Sequence, residues 1–289
     1  MGESAAKLPG VKARAVFAAR RFHAWWEGYA FDSASERAAL LAQLPVAGMA
    51  TGRPTADIVA ESIWGGGRLE PGSPVWTMRY ARMLGLPVKA DVVVFGAGAG
   101  GPVRDLHHGT RWKVTGLTNA VGVADGNLRS HEQALQRMQK ATADGALSFF
   151  QLSSDANPMA FAEFSAELML PNSKTVFVDY AVARKGARLP RCFPGAAAPK
   201  TETEYRDALR AGGFVIEEAG DDTLAFMPLI AQGWAGWRRA YDAMTHVEDL
   251  PLRAEMLRAM SDHAKLWAER YEALKSGQLR VLFMRAARR

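Results

Sequence analysis

The sequence predicts an α/β fold: a parallel sheet covered by helices, with a helical cap in front and a helical pair inserted before the last strand. Three observations carry this. Val92-Val93-Val94-Phe95 is a short β-branched and aromatic run with no polar residue, the pattern of a central strand buried on both faces. It runs into Gly96-Ala97-Gly98-Ala99-Gly100-Gly101-Pro102, a turn with proline placed for the first turn of a helix. A second strand, Trp112 to Leu117, follows, and strand, glycine turn, helix and strand together make a βαβ unit.

Upstream, residues 1–85 read as a helical cap or lid. Val16, Phe17, Phe22, Trp25, Trp26 and Tyr29 recur at helical spacing, and Ser35 to Leu44 forms a second amphipathic segment stopped by Pro45. The stretch Trp64-Gly65-Gly66-Gly67-Arg68-Leu69-Glu70-Pro71-Gly72 is a loop by its glycine content. Downstream, within a domain spanning 86–289, strands are expected at Leu147–Leu152 and Thr175–Tyr180, with a helix at Met159–Leu170 between them. Thr201-Glu202-Thr203-Glu204 fits a capping box that opens a helix ending at Gly212-Gly213, before a strand at Phe214–Glu218. Helices fill about 227–275, and Gln278–Met284 is the closing strand.

Charge narrows the function classes. The chain of 289 residues has a formal net charge of +6, yet residues 1–21 and residues 280–289 each carry a net +4, leaving the body at −2. Nucleic-acid domains concentrate cations on a face of the fold itself, so that class is disfavoured. The longest uncharged apolar stretch, Val92 to Val103, holds four glycines and a proline. It falls short of the roughly 20 residues that span a bilayer. A single cysteine, Cys192, forms neither an internal disulfide nor a thiolate metal cluster, and a reducing cytoplasm is the expected compartment.

The glycine turn is the strongest chemical signal. Glycines let a ligand approach main-chain N–H groups at a helix N-terminus, where the dipole favours negative charge. Gly96, Gly98 and Gly101 satisfy the G-x-G-x-x-G of dinucleotide sites, Gly96, Gly98 and Gly100 satisfy G-x-G-x-G, and a structural turn without ligand fits the same residues. The order of motifs resembles the class I S-adenosylmethionine-dependent methyltransferases. Ile63 to Pro74 looks like the glycine-rich stretch preceding the cofactor turn in small-molecule enzymes of the phosphoethanolamine, sarcosine and ubiquinone-biosynthesis type. Thr201 to Glu218 is similar to their late helix and sixth strand, and Leu274 to Ala287 to their terminal strand. The resemblance covers roughly residues 60–289.

It implies a Rossmann-like sheet and S-adenosylmethionine as cofactor. Gly96, Ala97, Gly98 and Gly100 would cradle the methionine end and Thr118 and Asn119 would face the ribose. Tyr29, Trp64 and Tyr180 would line the acceptor site, with Tyr180 or His23 as base. The family's first carboxylate falls on Val94 and its second on Thr118, so two expected charges are missing. For the third, the segment Ala120–Gly145 offers no apolar strand, and Asp125, Asp144 and Asp155 are substitutes that also suit turns or caps. Because losing charge-assisted hydrogen bonds weakens binding, the reading leans to a non-catalytic or weakly active partner of a paralogous methyltransferase subunit, in a homo- or hetero-oligomer. The alternative is an active enzyme on a small N, O or C nucleophile. His107-His108 reads as a solvated helix end, Asn157-Pro158-Met159 as a helix start, and the tryptophans as packing that also suits a small amine or a hydrophobic ring.

Overall fold

The computed structural model describes residues 53–118, 128–129, 141–187, 189, 191–193 and 198–289. His23, Tyr29, Asn119 and Asp125 lie outside the described residues, as do the helices expected before residue 45.

Seven strands form one sheet: β1 (Asp91–Phe95), β2 (Lys113–Leu117), β3 (Leu128–Arg129), β4 (Ala143–Phe149), β5 (Met169–Val182), β6 (Phe214–Asp221) and β7 (Leu279–Arg288). Their spatial order is β3-β2-β1-β4-β5-β7-β6. The pairs from β3 to β5 are parallel, whereas β7 runs antiparallel to both β5 and β6. The sheet is therefore mixed. Chain direction across the sheet reverses between β1 and β4, which opens a crevice beyond the carboxyl ends of those strands.

The period-2 geometry of β1 sorts its side chains onto two faces. Val92 and Val94 enter one core with Ile58, Trp76, Tyr80, Val103, Phe226 and Trp267. These belong to α1 (Thr55–Trp64), α2 (Pro74–Leu84), α3 (Gly101–Gly109), α6 (Thr223–Thr245) and α7 (Leu250–Lys275). Val93 and Phe95 enter the other core with Phe161, Leu168, Tyr205 and Leu209, supplied by α4 (Pro158–Leu168) and α5 (Glu202–Ala211). Complete burial of large side chains such as Trp267, Tyr80 and Phe226 contributes about 2 kcal/mol each.

Helix ends follow local chemistry. Ser73 accepts from the Trp76 N–H at the start of α2, with Pro74 next. Thr201 and Glu204 form the expected capping box of α5, and Asn157 caps α4 through the Ala160 N–H.

Three expectations need correction. The strand expected at Leu147–Leu152 lies earlier, at Ala143–Phe149, because its ladder follows β1 from Gly145 opposite Val92 to Ser148 opposite Phe95. The segment Ala120–Gly145 does contain a strand: Leu128 and Arg129 pair with Gly116 and Leu117. The strand expected at Thr175–Tyr180 extends over Met169–Val182, since β4 pairs with it at Met169 and β7 pairs along it from Lys174 to Val182.

Candidate functional site

The turn after β1 is left-handed at alternate residues, with φ of 72° at Gly96, 57° at Gly98 and 95° at Gly100. Glycine is required at Gly96 on space as well as conformation, because a Cβ there would lie 2.1 Å from the Phe149 carbonyl oxygen. Facing this turn is the loop between α1 and α2. The Gly101 N–H, at the start of α3, donates to the Gly67 carbonyl at 2.9 Å. The Arg68 guanidinium pairs with Asp105, which also accepts from the Thr77 hydroxyl at 2.7 Å. The loop is thereby fastened over the first turn of α3.

Between turn and loop lies a cavity of about 240 Å³. Gly96, Ala97 and Gly98 form one wall, Arg68 to Gly72 with Trp76 and Thr77 the opposite one, and Thr118, Phe149, Phe150, Gln151 and Ser154 complete it. The Thr118 hydroxyl donates to the Gly98 carbonyl at 2.8 Å, so toward a ligand it acts as an acceptor. Phe150 adopts φ of 56°, rare for an aromatic residue. It is held there by its own N–H donating to Val178 and by stacking between Trp76 and Tyr180. The turn beyond it is pinned by buried Asp179, whose carboxylate accepts from the N–H groups of Leu152 (2.7 Å), Ser153 (3.0 Å) and Tyr180 (2.8 Å). Burial pushes the Asp179 carboxyl up to about 7, against the pull of those hydrogen bonds.

Of the residues singled out in the sequence, Gly96, Ala97, Gly98 and Thr118 meet at the cavity, while Gly100 sits just behind it as the cap of α3. Trp64 stands elsewhere. Its indole N–H donates to His263 at 2.9 Å, and its ring packs on Gly233, where a Cβ would come within 2.0 Å. It faces a second cavity of about 310 Å³ between α1 and α6.

Tyr180 is buried, and its hydroxyl donates to Glu70 at 3.0 Å. Burial, followed by the Glu70 charge, holds its proton well above the usual phenol range. Arg270 binds both Glu70 oxygens at 3.0 Å, donates from Nε to the Cys192 carbonyl, and lies over the rings of Tyr180, Phe193 and Trp267. Trp76 is the tryptophan of the described residues that lines the cavity, and Glu70, Arg68 and Gln151 are cavity residues the motif reading passed over. Their signal was positional: the glycine-rich stretch and the carboxyl end of a strand neighbouring β1.

Asp144 accepts from the Asp91 N–H, and Asp155 from the Asn157 N–H, a loop and a turn role. His107 and His108 are exposed in the last turn of α3. Cys192 is buried, which raises its thiol. No helix among the described residues is long and apolar enough to cross a membrane.

No protein-family model and no curated protein sequence matches the chain. Solved structures do. A phosphoethanolamine N-methyltransferase 2 of Haemonchus contortus, in complex with phosphomonomethylethanolamine and S-adenosylhomocysteine, superposes with a TM-score of 0.64 at 12% identity, over 80% of this chain and 56% of that one. The fold is that of the class I methyltransferases. The chain thus spans little more than half of that enzyme. A geranyl diphosphate C-methyltransferase of Streptomyces coelicolor A3(2), with magnesium, geranyl diphosphate and S-adenosylhomocysteine, gives 0.53 at 12% identity over 74% and 79% of the two chains. The cyclase SpnF gives 0.60 at 15% identity over 85% and 96%.

Val94 and Thr118, where the resemblance leads to carboxylates being expected, have distinct surroundings. Val94 is fully buried among the apolar side chains of its face. Thr118 stands on the cavity wall as a neutral acceptor. Among the described residues lining that cavity, the one carboxylate is Glu70.

Proposed function

We propose that the chain binds S-adenosylmethionine over its glycine turn and transfers the methyl group to a small-molecule nucleophile. The observation that carries this reading is the open cavity above Gly96, Ala97 and Gly98, where side chains could instead have filled the crevice. The residues present fit the cofactor: the left-handed Gly96 and Gly98 add no side chain to their wall, and Thr118 places a hydroxyl at the cavity. The neighbouring enzymes that carry S-adenosylhomocysteine support the same assignment. When bound, the cofactor supplies an electrophilic methyl on sulfonium.

The chain's own residues supply alignment and exclusion of water. Trp76, Phe149 and Phe150 give the cavity an apolar side, and the loop from Arg68 to Gly72 roofs it. Tyr180 is assigned a positioning role rather than that of base, because its proton is held by burial and by Glu70. The favoured acceptor is therefore already nucleophilic at neutral pH, or is deprotonated by a group outside the described residues.

The reading is tested by isothermal titration of the full chain with S-adenosylmethionine and S-adenosylhomocysteine. Dissociation constants in the micromolar range support it, and no detectable heat refutes it. A second reading, a non-catalytic partner of another methyltransferase subunit, is favoured by the loss of carboxylates at Val94 and Thr118. That SpnF, a cyclase, shares the fold is a reminder that this architecture serves more than one chemistry. Binding without methyl transfer, together with co-purification of a second methyltransferase-like chain, would establish the partner role.

A further inference from the structure

We propose that Glu70 supplies the carboxylate that the glycine turn lacks, receiving the α-ammonium of the cofactor's amino-acid end. This rests on the cofactor reading above and adds to it a residue that no motif marks. The carboxylate expected at the end of β1 is replaced by Val94, which is sealed in the core. Glu70 faces the same cavity from the opposite wall, one residue beyond Leu69 and two beyond Arg68.

Its carboxylate is oriented before any ligand arrives. Arg270 approaches both oxygens from α7, and the Tyr180 hydroxyl approaches Oε2 from β5. An ionised carboxylate has about four acceptor positions, so these three contacts leave capacity for a further donor. Arg270 is itself fixed by the Cys192 carbonyl and by three aromatic rings, so the carboxylate does not swing away with a mobile partner.

The charge balance selects the ligand class. Glu70 is matched by Arg270, and Arg68 by Asp105. One acidic and one basic residue, Glu70 and Arg68, are among those lining the cavity. Such a wall suits a zwitterion, an ammonium beside a carboxylate, better than a lone cation or a lone anion. The amino-acid end of S-adenosylmethionine is a zwitterion of that kind.

The test compares three ligands by isothermal titration: S-adenosylhomocysteine, its deaminated analogue with hydrogen in place of the α-ammonium, and 5′-deoxy-5′-methylthioadenosine, which lacks the amino-acid end. The full-length wild type should bind S-adenosylhomocysteine at least roughly tenfold more tightly than the deaminated analogue, the range of one charge-assisted hydrogen bond. In Glu70→Gln that preference should shrink to about twofold or less, while methylthioadenosine binds both proteins alike.

Equal affinity of the wild type for the first two ligands overturns the proposal, as does a preference that survives E70Q. Parallel weakening of all three ligands in E70Q also overturns it, because that marks a structural role for Glu70. If E70Q does not fold, Glu70→Asp keeps a charge for Arg270 and withdraws it from the cavity by a methylene, and the same preference should fall. Absence of binding by any ligand to the wild type would instead refute the cofactor reading itself, and the proposal with it.

Discussion

Acidification from about pH 7.5 to about pH 4 should cost the fold a defined part of its stability through His263. The ring sits on α7 between Trp64 and Trp267, and its Nε2 accepts the Trp64 indole N–H at 2.9 Å. Burial, and then the Arg270 charge, lower its proton affinity from an ordinary 6.5 to about 4. The sign follows from linkage: between those values the unfolded chain binds a proton that the folded chain refuses, so stability is complete above about pH 6.5 and falls as pH drops toward 4. At 1.36 kcal/mol for each tenfold change in proton affinity, the loss approaches about 3 kcal/mol.

Urea unfolding followed by tryptophan fluorescence, on the wild type and His263→Gln at a series of pH values, isolates this contribution, since other titrating groups cancel in the difference. Above about pH 7 the wild type should be the more stable, or equal. By about pH 4 it should have lost about 3 kcal/mol relative to H263Q. Curves that stay parallel, within about 0.5 kcal/mol over the window, would refute the buried neutral histidine.

Asp179 has the opposite signature. Its carboxyl is raised from 3.8 to about 7, so the folded state holds the extra proton, and stability falls as pH rises through that window. Asp179→Asn should therefore gain on the wild type by a few kcal/mol, on the order of the same linkage, between about pH 4 and pH 7, measured by the same urea titration. A constant difference would refute it. Gly96→Ala combines a left-handed φ with a 2.1 Å clash against the end of β4, whereas Gly85→Ala has a left-handed φ of 63° and open space around it. Thermal unfolding should show a loss of about 1 kcal/mol for G85A and at least about 3 kcal/mol for G96A, and equal losses would refute the steric account.

Which parts of this protein could be read from its sequence follows from the range of the forces involved. The alternation that splits β1 between two cores, the left-handed glycines, the capping box at Thr201 and the asparagine cap at Asn157 are decided by residues a few positions apart. Strand limits are not. β4 begins at Ala143 because β5 offers a ladder partner there, Met169, and the two residues of β3 pair with Gly116 and Leu117 of β2. Two residues leave no periodic signal.

The site divides along the same line. The turn at Gly96 to Gly100 and the place of Thr118 at the end of the next strand were legible, since a sharp strand-to-helix turn and the next strand end are local features. Trp64 carries the same aromatic signal wherever it points, and it points away from the glycine turn because Gly233 leaves a slot for its ring and His263 accepts its N–H. Glu70 gave no signal in a glycine-rich loop, because its place on the cavity wall depends on Tyr180 and on Arg270, 200 residues further along the chain. The sequence by itself determined the sheet's central βαβ unit, the glycine turn after β1 and the absence of charge at Val94. Tertiary structure alone decided that Glu70 joins the cavity lining and pairs with Arg270, because burial and pairing of charges are properties of the packed molecule and not of any one segment.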